Sequence, residues 1–126
     1  MKFNNRYKYM INHEDPERYP ICLYGIQCDC DGWLQPIDDL LNMLMQLDGY
    51  RRLRVYQIKE KFGQFRFYYN STSLSNTERC KFQNQIDMYT DKINKTCEKC
   101  GKPGTLKTAE DGWLFTLCES CHETII

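Results

Sequence analysis

Two short cysteine pairs near the C-terminus constrain this chain more than any other feature. They span Cys97–Cys100 and Cys118–Cys121, each with two residues between its cysteines, and seventeen residues separate the pairs. This spacing is typical of a tetrahedral zinc site, because each pair presents two thiolates from one tight turn. Gly101 follows the first pair, and glycine adopts the positive φ that turns backbone N–H groups toward the sulfurs. The predicted ligands of one structural Zn²⁺ are Cys97, Cys100, Cys118 and Cys121.

Two disulfides, or four buried thiols, are the alternative interpretation of these cysteines. The first nine residues contain no apolar segment of the kind that begins a secretory signal. The chain also lacks a run of about 18 apolar residues, the minimum for a membrane span. We therefore expect a cytoplasmic protein, in which cysteines stay reduced and bind metal.

The length of 126 residues suits one compact domain with a small metal-stabilised appendage. We predict an α+β core over residues 1–95, in which residues 1–20 form an irregular arm. A small antiparallel β-hairpin should pack on two helices in this core. Residues 96–126 should form a zinc-binding module that packs on the core.

The first predicted helix follows a Cys- and Gly-rich loop over residues 21–34. Apolar residues at helical spacing predict a helix with Pro36 in its first turn. Asp38 and Asp39 should lie in the same turn, where carboxylates favour the helix dipole. Gly49 should end this helix as a C-terminal cap.

A β-hairpin is predicted from residues 51–59 and 64–69, with Glu60–Gly63 as the turn. The second strand alternates, so that one face is aromatic and the other carries polar groups. The predicted inner face consists of Phe65, Phe67 and Tyr69.

A second helix should begin at the capping box Ser75–Glu78, in which each residue satisfies an unpaired N–H of the other. It should run to about Lys95 and deliver the chain into the first cysteine pair. Its apolar stripe should pack on the aromatic face of the hairpin.

The zinc module should contain strands at Thr105–Thr108 and Trp113–Leu117, then a short helix through Ile126. A cysteine knuckle, a hairpin and a helix with the last ligands make a treble clef, and a plain zinc ribbon is the alternative. The tetrapeptide Asp-Gly-Trp-Leu occurs at 31–34 and again at 111–114. In both places we expect Asp-Gly to form a tight turn that swings the tryptophan inward.

Charge is distributed unevenly along a chain whose net charge is zero. Residues 51–107 hold thirteen Lys or Arg and five Asp or Glu, whereas the segments on either side are acidic. The basic middle could form a positive face for phosphates, or the acidic ends could fold over it and cancel it.

The hairpin segment interleaves cations with aromatic residues, a pattern found where nucleic acid binds. A half-buried hairpin with a solvated basic face explains the same alternation. Candidate contacts to nucleic acid or another partner are Arg52, Arg54, Tyr56, Lys59, Lys61, Phe62, Arg66 and Tyr68.

A second metal site is an alternative to buried free thiols for the cysteines outside the two pairs. Cys22, Cys28 and Cys30 lie within nine residues, and His13 or Cys80 could complete four ligands. Cys-x-Cys is a poorer metal knuckle than CxxC.

We do not expect an enzyme. Four thiolates leave zinc no open position for water, so the predicted metal is structural. The chain contains no paired histidine and carboxylate motif, phosphate-binding glycine loop or nucleophile elbow.

Three segments together resemble a family of small, uncharacterised bacteriophage proteins. They are Lys59–Tyr68, with its KEKFG and RFY motifs, the cysteine module over 97–118, and Asp31–Trp33 before the first helix. The resemblance implies a phage accessory protein, in the cytoplasm of a host cell, of the sort that meets a host defence system.

The leading functional hypothesis is therefore a non-catalytic, zinc-stabilised protein that binds a host protein or nucleoprotein complex. One alternative is a nucleic-acid-binding module that uses the hairpin over 51–69. Another is a protein that captures a small nucleotide signal.

Overall fold

The computed structural model describes residues 30–124, which contain helices and two small antiparallel sheets. The predicted α+β architecture is confirmed, while the irregular arm over 1–20 lies outside the described residues. None of the helices between residues 30 and 124 is both long and apolar enough to cross a membrane. The helices are α1 (Leu34–Leu44), α2 (Asn76–Ile93) and α3 (Glu119–Thr124), and the strands are β1 (Arg54–Lys61), β2 (Gln64–Asn70), β3 (Thr105–Thr108) and β4 (Leu114–Leu117).

The hydrophobic core lies between α1, α2 and the inner face of the β1–β2 hairpin. The indole of Trp33 is fully buried and meets Phe65 edge to face, with ring centroids 6.1 Å apart. Helix α2 packs against both α1 and β2, as the position of its apolar stripe predicts. The largest fully buried side chains are Trp33, Ile37, Leu40, Leu41, Leu44, Leu53, Ile58, Phe82 and Ile93.

The start of α1 differs from the sequence-based prediction. A turn of 3-10 helix over Asp31–Trp33 replaces the expected loop, and α1 begins at Leu34. Pro36 still lies in the first turn, but Asp38 and Asp39 follow it. The earlier start follows from the burial of the Trp33 side chain, which draws this segment onto the core.

The end of α1 also differs, because the helix stops at Leu44 and Gly49 does not cap it. Gly49 instead precedes a second 3-10 turn over Tyr50–Arg52 and has a φ of +94°. A Cβ on this glycine would lie 2.6 Å from Oε2 of Glu78. The glycine therefore serves a tertiary contact with α2 that helical periodicity does not reveal.

The β1–β2 hairpin forms as predicted, with a shorter turn. Residues 51–53 precede the sheet, and Glu60 and Lys61 belong to β1. The turn consists of Phe62 and Gly63, whose φ values are +56° and +76°. Two-residue turns with both φ positive match the twist of antiparallel strands, which explains why the strands extend to this turn.

The alternation along β2 is confirmed. Phe65 is buried, while Phe67 and Tyr69 are partly buried against the core. Arg66 and Tyr68 point to the opposite, exposed side. The inner rings form a continuous row, with centroids 6.1 Å apart for Phe65 and Phe67 and 5.7 Å apart for Phe67 and Tyr69.

The capping box at the start of α2 is confirmed. The Glu78 amide donates to Oγ of Ser75 at 3.2 Å, and the Ser75 amide donates to Oε1 of Glu78 at 2.9 Å. The Arg52 guanidinium adds two hydrogen bonds to the same carboxylate, at 3.0 and 2.7 Å. Glu78 therefore ties the start of α2 to the segment before β1.

Neutralising Glu78 should remove a pH-dependent part of the stability. Hydrogen bonds from Arg52 and from the Ser75 amide lower the pKa of Glu78 to about 2, against a smaller opposing effect of burial. A lowered pKa contributes stability above the unfolded value, about 4.5, that is lost as the pH falls toward 2. The advantage of wild type over Glu78→Gln in the free energy of unfolding should therefore shrink across this window. Denaturant titrations of wild type and Glu78→Gln at several pH values measure this difference. Any loss of metal at low pH affects both proteins alike, so it cancels in the comparison. A difference that is constant with pH would contradict this assignment.

Candidate metal centre

The four predicted cysteine ligands lie together in the structure. The sulfurs of Cys97, Cys100, Cys118 and Cys121 are all within 4.8 Å of one another. The Sγ atoms of Cys100 and Cys118 are 3.6 Å apart. Tetrahedral zinc with bonds of about 2.3 Å places sulfurs about 3.8 Å apart, so this set can hold a metal ion. We call these four residues the tetracysteine cluster.

The first cysteine pair lies on a tight turn after α2. Gly101 has a φ of +83°, and its amide donates to the Cys97 carbonyl at 3.0 Å. The Cys97 amide donates to the Lys102 carbonyl at 2.7 Å, which closes the turn. Backbone amides of Lys99 and Cys100 donate to the Cys97 sulfur, and that of Lys102 donates to Cys100. The expected positive φ of Gly101 is confirmed.

The second cysteine pair lies where β4 gives way to α3. The Cys121 amide donates to the sulfur of Cys118 at 3.5 Å. The His122 amide donates to the Cys118 carbonyl at 2.9 Å and so continues the helical turn. The β3–β4 hairpin connects the two pairs, and the last ligand lies on α3. The observed order is thus a cysteine turn, a hairpin and a helix.

Ionisation of the tetracysteine cluster is uneven. Burial opposes the ionisation of Cys97, but the amides of Cys100, Cys118 and Lys99 outweigh it and lower the pKa to about 6. A hydrogen bond with the Cys118 thiol, followed by burial and the other sulfurs, raises the pKa of Cys121 to about 12. Ionisation of one thiol of the cluster is therefore favourable, while ionisation of a further thiol is unfavourable. A bound cation removes that resistance, because ligating thiols are deprotonated by the metal.

The first Asp-Gly-Trp segment anchors the tetracysteine cluster to the core. The Gly32 amide donates to the Glu98 carbonyl at 3.0 Å, and the Trp33 indole N–H donates to the Thr96 carbonyl at 2.8 Å. A Cβ on Gly32 would lie 2.1 Å from the Cys97 carbonyl oxygen and 2.5 Å from the Gly101 nitrogen. Only glycine permits this close backbone approach.

The second Asp-Gly-Trp segment behaves differently, and the expectation that Trp113 turns inward is wrong. Asp111 does form a turn, since its Oδ1 accepts a hydrogen bond from the Trp113 amide at 2.9 Å. The Trp113 side chain is nevertheless 55% exposed, and β4 begins one residue later, at Leu114. Residues 110–113 are all exposed, so the ring has no buried surface to pack on at this turn.

A second connection joins the tetracysteine cluster to the tip of the β1–β2 hairpin. The Glu98 amide donates to the Thr116 carbonyl at 2.9 Å, and the Thr116 amide donates back to Oε2 of Glu98 at 3.2 Å. The Thr116 hydroxyl then donates to the Gly63 carbonyl at 2.5 Å. Both side chains are buried, and burial is the main cause that raises the pKa of Glu98 to about 7. Sequence reasoning missed both residues, because no local pattern marks a buried polar contact between distant segments.

Two of the predicted partner contacts, Arg52 and Arg54, make hydrogen bonds within the protein, and their contact with a partner stays a prediction. Arg52 binds Glu78 and the Ser73 carbonyl. The Arg54 guanidinium donates to the carbonyls of Arg51 and Leu53. Both arginines thus stabilise the segment that leads into β1. The side chain of Tyr56 lies outside the described part of the structure.

The remaining candidates lie on or beside one solvent-facing surface of the hairpin. Strand register places Lys61 opposite Gln64, Lys59 opposite Arg66 and Gln57 opposite Tyr68. We call these six residues the outer face. Within the part of the chain described, none of its three cations lies within ion-pair distance of a carboxylate. Phe62, at the tip, is 62% exposed, and Tyr68 is 44% exposed.

The proposed second metal site stays a prediction. Cys30 is buried in the core, and Cys80 is exposed on α2. Cys22, Cys28 and His13 lie outside the described residues. Between residues 30 and 124, the tetracysteine cluster is the one group of three or more potential ligands that could hold a metal ion.

The chemistry of the centre follows from its donor set. Four cysteine sulfurs can complete a tetrahedral shell around an ion, which would leave no position for a reacting water. Comparison of the chain with family models, curated proteins and solved structures finds no match.

Replacing Gly32 should separate the tetracysteine cluster from the core. The new methyl group of Gly32→Ala would overlap the Cys97 carbonyl, so the two backbones must move apart. Gly112→Ala is a control without a steric clash, because no atom lies within 4 Å of the added Cβ, although its φ of +86° adds a strain that Gly32 does not have. The control should lose about 1 kcal/mol of stability through backbone strain alone, and Gly32→Ala about 3 kcal/mol or more. Denaturant unfolding measures both losses, and equal losses would contradict the close approach described above.

Proposed function

We propose that this chain is a non-catalytic, zinc-stabilised protein that binds a macromolecule of a bacterial host. The outer face carries this proposal. Three cations and an exposed phenol share it, and no carboxylate among the described residues pairs with those cations. A positive surface without internal counter-charges favours a partner that supplies negative charge.

Zinc is the proposed metal of the tetracysteine cluster, with one ion per chain and a treble-clef arrangement around it. Thiolates are soft ligands that prefer zinc to magnesium or calcium. The β3–β4 hairpin offers little burial to order itself, because Leu106 and Trp113 are half exposed or more. Metal binding therefore contributes much of the folding free energy of this module, on the order of 10 kcal/mol for sites of this type.

A bacterial host is proposed from the resemblance to phage proteins in three segments of the chain. A phage accessory protein works in the host cytoplasm, where its partners are host proteins or nucleoprotein complexes. A host defence complex is the proposed target class. The closed metal shell supports a role in binding, since such a centre has no position at which to activate water.

Affinity capture tests this function directly. Tagged, zinc-loaded protein should retain one host component from bacterial lysate. Lys59→Glu with Arg66→Glu should abolish that capture, because both side chains lie on the outer face. Lys81→Glu with Lys92→Glu reverses the same charge on the exposed side of α2 and should leave capture intact. Capture that survives the outer-face change, or no retained component at any salt concentration, would show that the proposal is wrong.

A further inference from the structure

We propose that the outer face binds single-stranded nucleic acid. This inference rests on the proposed function and names the chemical class of the partner. The six side chains of the outer face comprise three cations, two amides and one phenol, so every polar group can donate a hydrogen bond to a phosphate or a base. The three cations lie in two register pairs that are neighbours on this face, with the pair of Glu60 and Phe65 between them on the other face, which gives a short basic strip along the hairpin.

Glu60 strengthens the case, because it is the one acidic residue of the two paired strands and it points the other way. It lies between Lys59 and Lys61 and opposite Phe65, on the inner face. Its Oε2 is buried and has no hydrogen-bond partner within the described structure. An unpaired buried carboxylate oxygen is costly. The hairpin thus turns its acid inward and its cations outward, which leaves the outer face uniformly positive.

Exposed rings provide the second requirement for single-stranded nucleic acid, a surface on which bases stack. Tyr68 and Phe62 are among the few large hydrophobic residues that the described chain leaves exposed. Each has a cation beside it: Lys59 Nζ is 5.5 Å from the centre of the Tyr68 ring, and Lys61 Nζ is 5.6 Å from that of Phe62. A ring with an adjacent cation can contact a base and its phosphate together.

The backbone at Phe62 gives independent support. This residue has a φ of +56° and is the one non-glycine residue with a positive φ in the described chain. Aromatic residues rarely adopt this conformation, which Asn and Gly adopt far more readily. Strain of this kind is concentrated at functional sites. The adjoining Gly63 accepts the Thr116 hydrogen bond and packs on the Phe115 backbone, so the exposed ring stands on a fixed turn.

Single strands fit these features better than a duplex, whose stacked bases hide the faces that rings would contact.

A protein partner is the other alternative. Leu106 is 50% exposed beside Gly63 and would suit a pocket in an acidic protein. It cannot stack on bases as Phe62 and Tyr68 can. The rings and the cations together favour nucleic acid, and a protein partner is an outcome of the test.

Fluorescence anisotropy with full-length, zinc-loaded protein provides the test. Labelled oligo-dT and oligo-U of about 12 nucleotides, and a duplex of the same length, would be titrated from about 50 to about 300 mM salt. Both single strands should bind more tightly than the duplex. Three phosphate contacts predict a slope of about −2 for log K against log salt concentration. The DNA and RNA arms show which nucleic acid is preferred.

Variants separate stacking from charge. Tyr68→Ala should weaken binding by about 5-fold to about 150-fold, the range measured for loss of a stacked base. Phe62→Asn should weaken binding without lowering the melting temperature, because asparagine tolerates the left-handed conformation. Lys59→Ala with Arg66→Ala should reduce the salt slope to about −0.7. Met88→Ala is the control for the loss of an exposed apolar side chain, since Met88 is 63% exposed on α2.

The outcomes distinguish this inference from the proposed function. No binding of oligo-dT or oligo-U at the lowest salt would overturn it, as would equal binding of the duplex. Unchanged affinity in both ring variants would overturn it as well. If affinity capture still retains a host protein through Lys59 and Arg66, the proposed function stands and its partner is an acidic protein. Failure of both experiments would remove both proposals.

Discussion

The gathering of four cysteine sulfurs is the constraint on which the arrangement of residues 96–124 depends. All four lie within 4.8 Å of one another, although they come from two turns separated by a β-hairpin. The pKa of Cys121 is raised by its hydrogen bond with the Cys118 thiol, by burial and, to a lesser extent, by repulsion from the Cys97 thiolate. A cation among the four sulfurs would convert that repulsion into attraction. The hairpin between the two turns buries few large side chains, so the ion that we propose would supply much of the order of the module.

Order at the tetracysteine cluster extends to the hairpin surface through short contacts. The carbonyl of Glu98, which follows Cys97 of the cluster, accepts a hydrogen bond from the Gly32 amide and so holds the cluster on the core. The Glu98 side chain fixes Thr116, which in turn holds Gly63 at the turn of the β1–β2 hairpin. The exposed ring of Phe62 therefore stands on a turn that is connected by hydrogen bonds, through Thr116 and Glu98, to the segment that carries Cys97. If the outer face binds a partner as we propose, this link would connect the metal centre to the binding surface.

The sequence predicted those parts of the fold that depend on residues close to one another along the chain. Cysteine spacing identified the four sulfurs that lie together, alternation identified the inner rings of β2, and Ser75 with Glu78 marked the start of α2. The remaining features depend on contacts between distant segments. Trp33 and Trp113 follow the same dipeptide, yet only the first has a core beneath it and the Thr96 carbonyl beside it. Likewise, Arg52 resembled a free cation until its distant partner Glu78 was placed.

Amide hydrogen exchange with and without metal tests the central claim most directly. Purified protein should contain one zinc ion per chain, and chelation should abolish amide protection over residues 96–124. Protection in α1, β2 and α2 should largely persist, because these elements share a core of their own. Protein with much less than one zinc per chain, and with full protection of residues 96–124 in chelator, would contradict this account.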